Sequence, residues 1–344
     1  MKHQVFFAVV ASVAGFAISA LAVSAQEGTP PPFPPPGKLI DIGGWKLHLN
    51  CTGTRAAGAP LVILEPGIGD FSVEWALVQP EVAKTARVCA YDRAGDGWSE
   101  MGPHPRTFKQ IVYELHTLLE RAAERPPYVM VGQSYGGWLV RTYRATYPSE
   151  VVGLVLVDAG EDDPERIMPD GSIGRASMLV KGVPVPPVKT SGPLRIADIP
   201  PNALAAMRSG IAKTAPRAND PPRDKLPADA RQMRAWALWQ IGHVAAAVNP
   251  LEVEEIALLR KERMDTPQAY GDIPLVVITR GIPESDETAA RTEERRKSHK
   301  AIASASRNGR WLIAGRSGHH VQIEQPDVVV AAIADVLRAA QENK

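Results

Sequence analysis

Short apolar runs recur along this chain at 61–64, 87–91, 128–131, 152–157, 275–279 and 310–314. Most lack the polar alternation of a half-solvated strand, so they suit a parallel sheet buried on both faces. Helical patterns lie between several of them. The clearest is 108–124, where Ile111, Leu115, Leu118 and Leu119 fall on one stripe. Ahead of these runs, 38–42 and 45–50 alternate apolar and polar residues around Gly43-Gly44, which predicts a hairpin exposed on one face. Eight strands alternating with helices make an α/β architecture, mostly parallel, with flanking helices.

The rhythm stops between 161 and 270, where prolines and charges are dense and helical patterns survive only at 229–247 and 251–263. A structureless loop of that length does not belong inside a compact domain. The segment 161–270 is therefore expected to be a mostly helical cap inserted after strand six, with 38–160 and 271–344 forming the core. A chain of 344 residues that is 44% hydrophobic has enough material for such a domain. The charged run 291–300 reads as a solvated helix face.

The chain opens with Lys2 before an apolar stretch closing on Val23-Ser24-Ala25, the pattern of a signal peptide cleaved after Ala25. The protein is then secreted or periplasmic, with no stable membrane association after cleavage. An uncleaved anchor is the other reading, because about eighteen mostly apolar residues just span a bilayer. Residues 26–37 are dominated by proline and read as an extended linker. Export gives interest to the two cysteines, Cys51 and Cys89, which are either bonded or two buried thiols. The 39 basic and 38 acidic residues nearly cancel, so no global field draws the protein to nucleic acid, and a small or neutral substrate fits better.

Gly132-Gln133-Ser134-Tyr135-Gly136 fits the pattern G-x-S-x-G. A serine hydroxyl is a weak nucleophile and must stand on a sharp turn between a strand and a helix, where a base reaches it. The apolar run 128–131 precedes, and 135–147 reads as a helix stopped by Pro148. The helix N-terminus adds positive dipole where negative charge develops. Ser134 is the candidate nucleophile.

Of eight histidines, His3 lies in the leader, His48 on strand two, and His116 and His243 in helical patterns. A base that follows the last strand must come from Ser317-Gly318-His319-His320. Together with Tyr91-Asp92-Arg93-Ala94-Gly95-Asp96-Gly97-Trp98-Ser99 after strand four, these motifs make the chain resemble the α/β-hydrolase superfamily, serine branch, over about 39–337. That resemblance implies an eight-stranded α/β-hydrolase fold. It implies that the base is the histidine after Gly318, in a loop whose closing helix begins near Pro326, so His319 is preferred and His320 packs or lines the site. Its strand order puts strand two beside strand four, which favours a Cys51–Cys89 disulfide.

A tetrahedral intermediate needs two fixed N–H donors. The amide of Tyr135, directly after the nucleophile, is one. The loop Glu65-Pro66-Gly67-Ile68-Gly69-Asp70 supplies the other, at Ile68, although relatives often have His-Gly where this chain has Pro66-Gly67. The Gly67-x-Gly69 pair is no dinucleotide loop, because Ser72 stands where a third glycine belongs. The acid that orients His319 has two candidates. Many relatives carry it three residues after a glycine beyond strand seven, where Gly281-Ile282-Pro283-Glu284 offers Glu284. The other known arrangement places it at the end of strand six, where Asp158 follows Val155-Leu156-Val157. Asp158 is preferred, since strand ends hold a carboxylate more rigidly than a proline-containing loop.

These residues describe acyl transfer without metal or organic cofactor. A serine nucleophile argues against the dehalogenases and epoxide hydrolases of this fold. An exported hydrolase of small or medium carboxylic esters is expected first. An amidase or aminopeptidase comes second, needing cap carboxylates such as Glu252, Glu254 or Glu255 to hold an amine. An inactive binding protein on the same fold is the third reading. Oligomeric state is not legible.

Overall fold

The computed structural model describes residues 32–266 and 268–342, so the leader at 1–25 and the first half of the 26–37 linker lie outside the described residues. Eight strands, β1 (Lys38–Asp41), β2 (Lys46–Thr52), β3 (Leu61–Glu65), β4 (Val88–Tyr91), β5 (Tyr128–Gln133), β6 (Val151–Val157), β9 (Leu275–Arg280) and β10 (Gly309–Ala314), form one sheet. Their order is β1-β2-β4-β3-β5-β6-β9-β10. β2 runs antiparallel to both β1 and β4, and the remaining pairs are parallel.

Side chains alternate across a strand, so a continuous apolar run feeds two cores at once. Ile63, Met130, Leu154, Leu156 and Val277 pack on one side with Leu115, Leu118, Val140 and Ile302 from the helices. Val62, Val129, Val155 and Ile278 pack on the other, against Val78, Val329, Ile333 and Val336. Each such side chain contributes about 1.5–3 kcal/mol by leaving water. Every residue of β3, β5 and β9 is buried, as the apolar runs predict, whereas in the edge strand β10 only Ala314 is buried. The helix expected at 108–124 spans Phe108–Arg121, capped by the Thr107 side chain, and stops where Ala123 takes φ +58°. Cys51 and Cys89 face each other in the β2–β4 register and are joined as a disulfide, so the reading as two free thiols does not hold.

The inserted segment carries helices Pro201–Thr214, Ala228–Ala237, Ile241–Ala246 and Glu252–Asp265. It also carries a small hairpin of β7 (Glu165–Ile167) and β8 (Ile173–Arg175), which the sequence pattern did not announce. The single helix expected at 229–247 is two. The break turns Gly242 onto the loop after β4, where a Cβ on Gly242 would lie 2.8 Å from the Gly95 carbonyl oxygen. The charged run at 291–300 is helical, within Ala289–Ala303, and is solvated on one side only, where Glu293, Lys297 and Lys300 are exposed. On the other side Arg295 and His299 are buried: Arg291 and Arg295 turn inward to Glu161, Arg295 also to Glu287, and His299 meets Thr279 and the Ala159 carbonyl. Burial of those charges requires such partners.

Candidate active site

Ser134 sits between β5 and the helix Tyr135–Thr146 with φ +51° and ψ −118°, a conformation side chains rarely adopt. The glycines around it are demanded by close approach. A Cβ on Gly132 would fall 2.5 Å from the Gly136 carbonyl oxygen, one on Gly136 2.4 Å from the Glu65 carbonyl oxygen, and one on Gly137 2.3 Å from the Ala159 Cβ. The turn is held by the Ser134 N–H donating to Val157 and by the Ser134 carbonyl accepting from Gly137 and Gly160.

The loop after β10 brings His319 to this serine, with Nε2 2.9 Å from Ser134 Oγ. Its other ring nitrogen, Nδ1, lies 2.6 Å from Asp158 Oδ2. Asp158 is 3% exposed at the end of β6. Burial alone raises its pKa, but the hydrogen bond and charge of His319, with Arg280 nearby, more than offset that and hold the carboxyl well below the usual range. Of the two carboxylates considered for this position, only Asp158 reaches the histidine. Glu284 is mostly exposed and pairs with Arg280, 2.8 Å away. Arg280 in turn touches Asp158, so Glu284 stands one residue behind the acid.

Tyr135 opens the helix after Ser134, and Ile68 is 46% exposed on the loop after β3. The two segments are in contact, since the missing Cβ of Gly136 faces the carbonyls of Glu65 and Pro66. Gln133 fills the space between this loop and the base. Its Nε2 donates to the His319 carbonyl at 3.2 Å, and a Cβ on Gly67 would meet its Oε1 at 2.3 Å. That contact explains why glycine follows Pro66.

The inserted segment docks on the same loop. Arg234 and Arg223 both reach Asp70 Oδ1 at 3.0 Å, and Arg234 also pairs with Glu74. Burial and the neighbouring Asp70 carboxylate push Glu74 up to about 7. Asp70, Glu74 and His320 lie close enough to hold a cation, but the two arginines already meet both carboxylates. His320 packs edge-on against His319 with ring centroids 5.3 Å apart, and burial pushes its pKa down to about 3 against the pull of Asp70. Asp96 holds His243 of the insertion at 2.9 Å, and Trp98 packs on Trp236. Of the cap carboxylates considered for an amine, Glu252 pairs with Arg166, Glu255 accepts from the amides of Phe108 and Lys109, and Glu254 accepts from the Lys181 amide through one oxygen while its other oxygen is buried without a partner.

Sequence reasoning missed Arg280, Gln133 and the Asp70–Arg234 cluster. Arg280 merely ends an apolar run, and Gln133 occupies a variable position of its motif. The arginines come from a segment with no readable register to the core.

Residues 61–332 match the sequence profile of the alpha/beta hydrolase family, and the chain belongs to that family. Among curated proteins, it is 23% identical over 303 residues to the uncharacterized protein YqjL of Bacillus subtilis, covering 88% of this chain and 92% of that one. A 129-residue stretch is 34% identical to the probable transporter efuK of Hormonema carpetanum, covering 36% of this chain and only 18% of that protein. Among solved structures, a thermophilic esterase from Thermogutta terrifontis superposes with a TM-score of 0.55 at 19% identity, over 86% of this chain and 94% of that one. That likeness is one of fold.

Proposed function

We propose that this protein is an exported serine hydrolase that cleaves a small or medium carboxylic ester through an acyl-enzyme on Ser134. The observation that carries the reading is the unbroken chain from Ser134 Oγ through both nitrogens of His319 to the buried Asp158, at 2.9 and 2.6 Å. His319 Nε2 takes the serine proton as Oγ attacks the ester carbonyl, then returns it to the leaving alcohol. Asp158 keeps the Nδ1 proton in place and stabilises the imidazolium. The amides of Ile68 and Tyr135 receive the oxyanion, and water, activated by the same histidine, frees the acid.

An ester is preferred over an amide because its cleavage has the lower barrier, and because Glu252 and Glu255 are already engaged, by Arg166 and by the amides of Phe108 and Lys109. Export is supported by the Val23-Ser24-Ala25 leader pattern and by the Cys51–Cys89 disulfide, which suits an oxidising compartment. The test is hydrolysis of p-nitrophenyl acetate and butyrate by purified protein beside Ser134→Ala and His319→Ala. Turnover that both substitutions abolish supports the reading; a wild-type protein inert to both esters favours a binding protein on a hydrolase fold.

A further inference from the structure

The loop that carries Ile68 is held from beneath by one side chain. Arg93 follows β4 and is 3% exposed. Its guanidinium donates to the carbonyls of Pro66 at 2.8 Å and Asp70 at 3.0 Å, to the carbonyl of Gly67, and to the Glu65 carboxylate at 2.8 Å. The same guanidinium carbon lies 5.7 Å from the centroid of the Tyr135 ring. Arg93 therefore holds the carbonyl that immediately precedes Ile68 and lies beside the ring of Tyr135, the two residues whose amides the proposed function requires.

We propose that Arg93 is the positioning residue of the oxyanion hole. The peptide joining Gly67 to Ile68 is not among the cis bonds of the chain. In a trans peptide the C=O and the following N–H point in opposite directions. Anchoring the Gly67 carbonyl on Arg93 therefore aims the Ile68 N–H away from the guanidinium, on the side opposite the protein interior. The flanking carbonyls of Pro66 and Asp70 are fixed by the same group, so the intervening amide has no freedom to flip. Only a planar fork with five donors serves several carbonyls and a carboxylate together, and a lysine ammonium does not. Glu65 keeps the buried charge paired, which separates two roles of Arg93: balancing charge and orienting the loop.

This inference rests on the serine-hydrolase reading, and Arg93→Lys distinguishes the two. Lysine keeps the positive charge beside Glu65 and loses the fork. Oxyanion donors are commonly worth about 10²–10³ in kcat. The expected result is a loss of that order in kcat for p-nitrophenyl butyrate, with KM changed by less than about threefold. Affinity for an alkyl trifluoromethyl ketone, whose adduct places a negative oxygen in the hole, falls in parallel, while inhibition by butyrate product does not. A merely structural arginine would lower stability without separating those two ligands. A folded Arg93→Lys protein that keeps kcat and ketone affinity overturns the assignment. Should lysine prevent folding, the neutral pair Glu65→Gln with Arg93→Gln is read by the same ratio of ketone to butyrate affinity. If wild-type protein hydrolyses no ester, the proposed function fails instead.

Discussion

Asp158 and Arg280 meet at the carboxyl ends of neighbouring parallel strands. The Arg280 amide donates to Asp158 Oδ1 at 3.0 Å, and its guanidinium donates to Oδ2 at 3.2 Å. The carboxylate that faces His319 is thus gripped on both oxygens, and Glu284, the other acid the sequence offers, serves as a partner of the arginine. Glu287 completes that neutralisation at 2.6 Å.

The two acids should therefore separate cleanly under mutation. Asp158→Asn leaves the geometry but removes the charge that holds the histidine tautomer, and kcat is expected to fall by about 10⁴. Glu284→Gln, at an exposed side chain with no contact to His319, is expected to change kcat by less than about threefold. Steady-state kinetics on p-nitrophenyl butyrate reads both. Equal losses in the two variants would contradict the assignment.

The turn at Ser134 stores backbone strain, since a non-glycine residue at φ +51° costs on the order of 1–3 kcal/mol. Ser134→Gly relieves it, less about 0.4–1 kcal/mol for the freer unfolded chain. Denaturant unfolding is expected to find the glycine variant about 1 kcal/mol more stable than Ser134→Ala. An alanine variant as stable as the glycine one would show that the turn is relaxed.

Replacing both Cys51 and Cys89 by serine opens a cross-link spanning 38 residues. The expected cost is about 2–4 kcal/mol of stability with kcat retained, because the bond lies on the β2–β4 register and not at Ser134. Thermal unfolding with and without reductant gives the same comparison in the wild-type protein.

His320 makes stability fall on acidification. Its folded pKa, pushed down to about 3 by burial, lies below the unfolded value near 6.5, so the unfolded chain binds the extra proton. The contribution is complete above pH 6.5 and is lost as pH falls from there toward 3, by at most about 1.4 kcal/mol per pH unit. His320→Gln is expected to flatten the stability curve across that window. Parallel curves for the two proteins would remove His320 as the cause.

What was legible in the sequence followed the locality of each signal. Ser134 was readable as a candidate because its motif, strand and helix are contiguous, whereas two histidines follow the last strand and the preference for His319 came from the resemblance. The acid was read only as a preference for Asp158 over Glu284, which the 2.6 Å contact with His319 matches, because deciding between them needs the pairing of β6 with β9, which sets Val157 opposite Ile278 and so places Asp158 against Arg280. The disulfide needed strand order too, and was reachable only through resemblance to a known topology. The insertion was read worst. Helix Pro201–Thr214 buries only Ile211 and so carries almost no apolar stripe, and the helices at 228–246 divide to let Gly242 approach Gly95.

The central claim is that Ser134 is an activated nucleophile. The most direct measurement is labelling of the purified protein with a fluorophosphonate, followed by mass mapping of the modified peptide. The account predicts one adduct, on Ser134, formed at neutral pH and abolished by His319→Ala. Absence of labelling in folded wild-type protein, or an adduct on another serine, would contradict it.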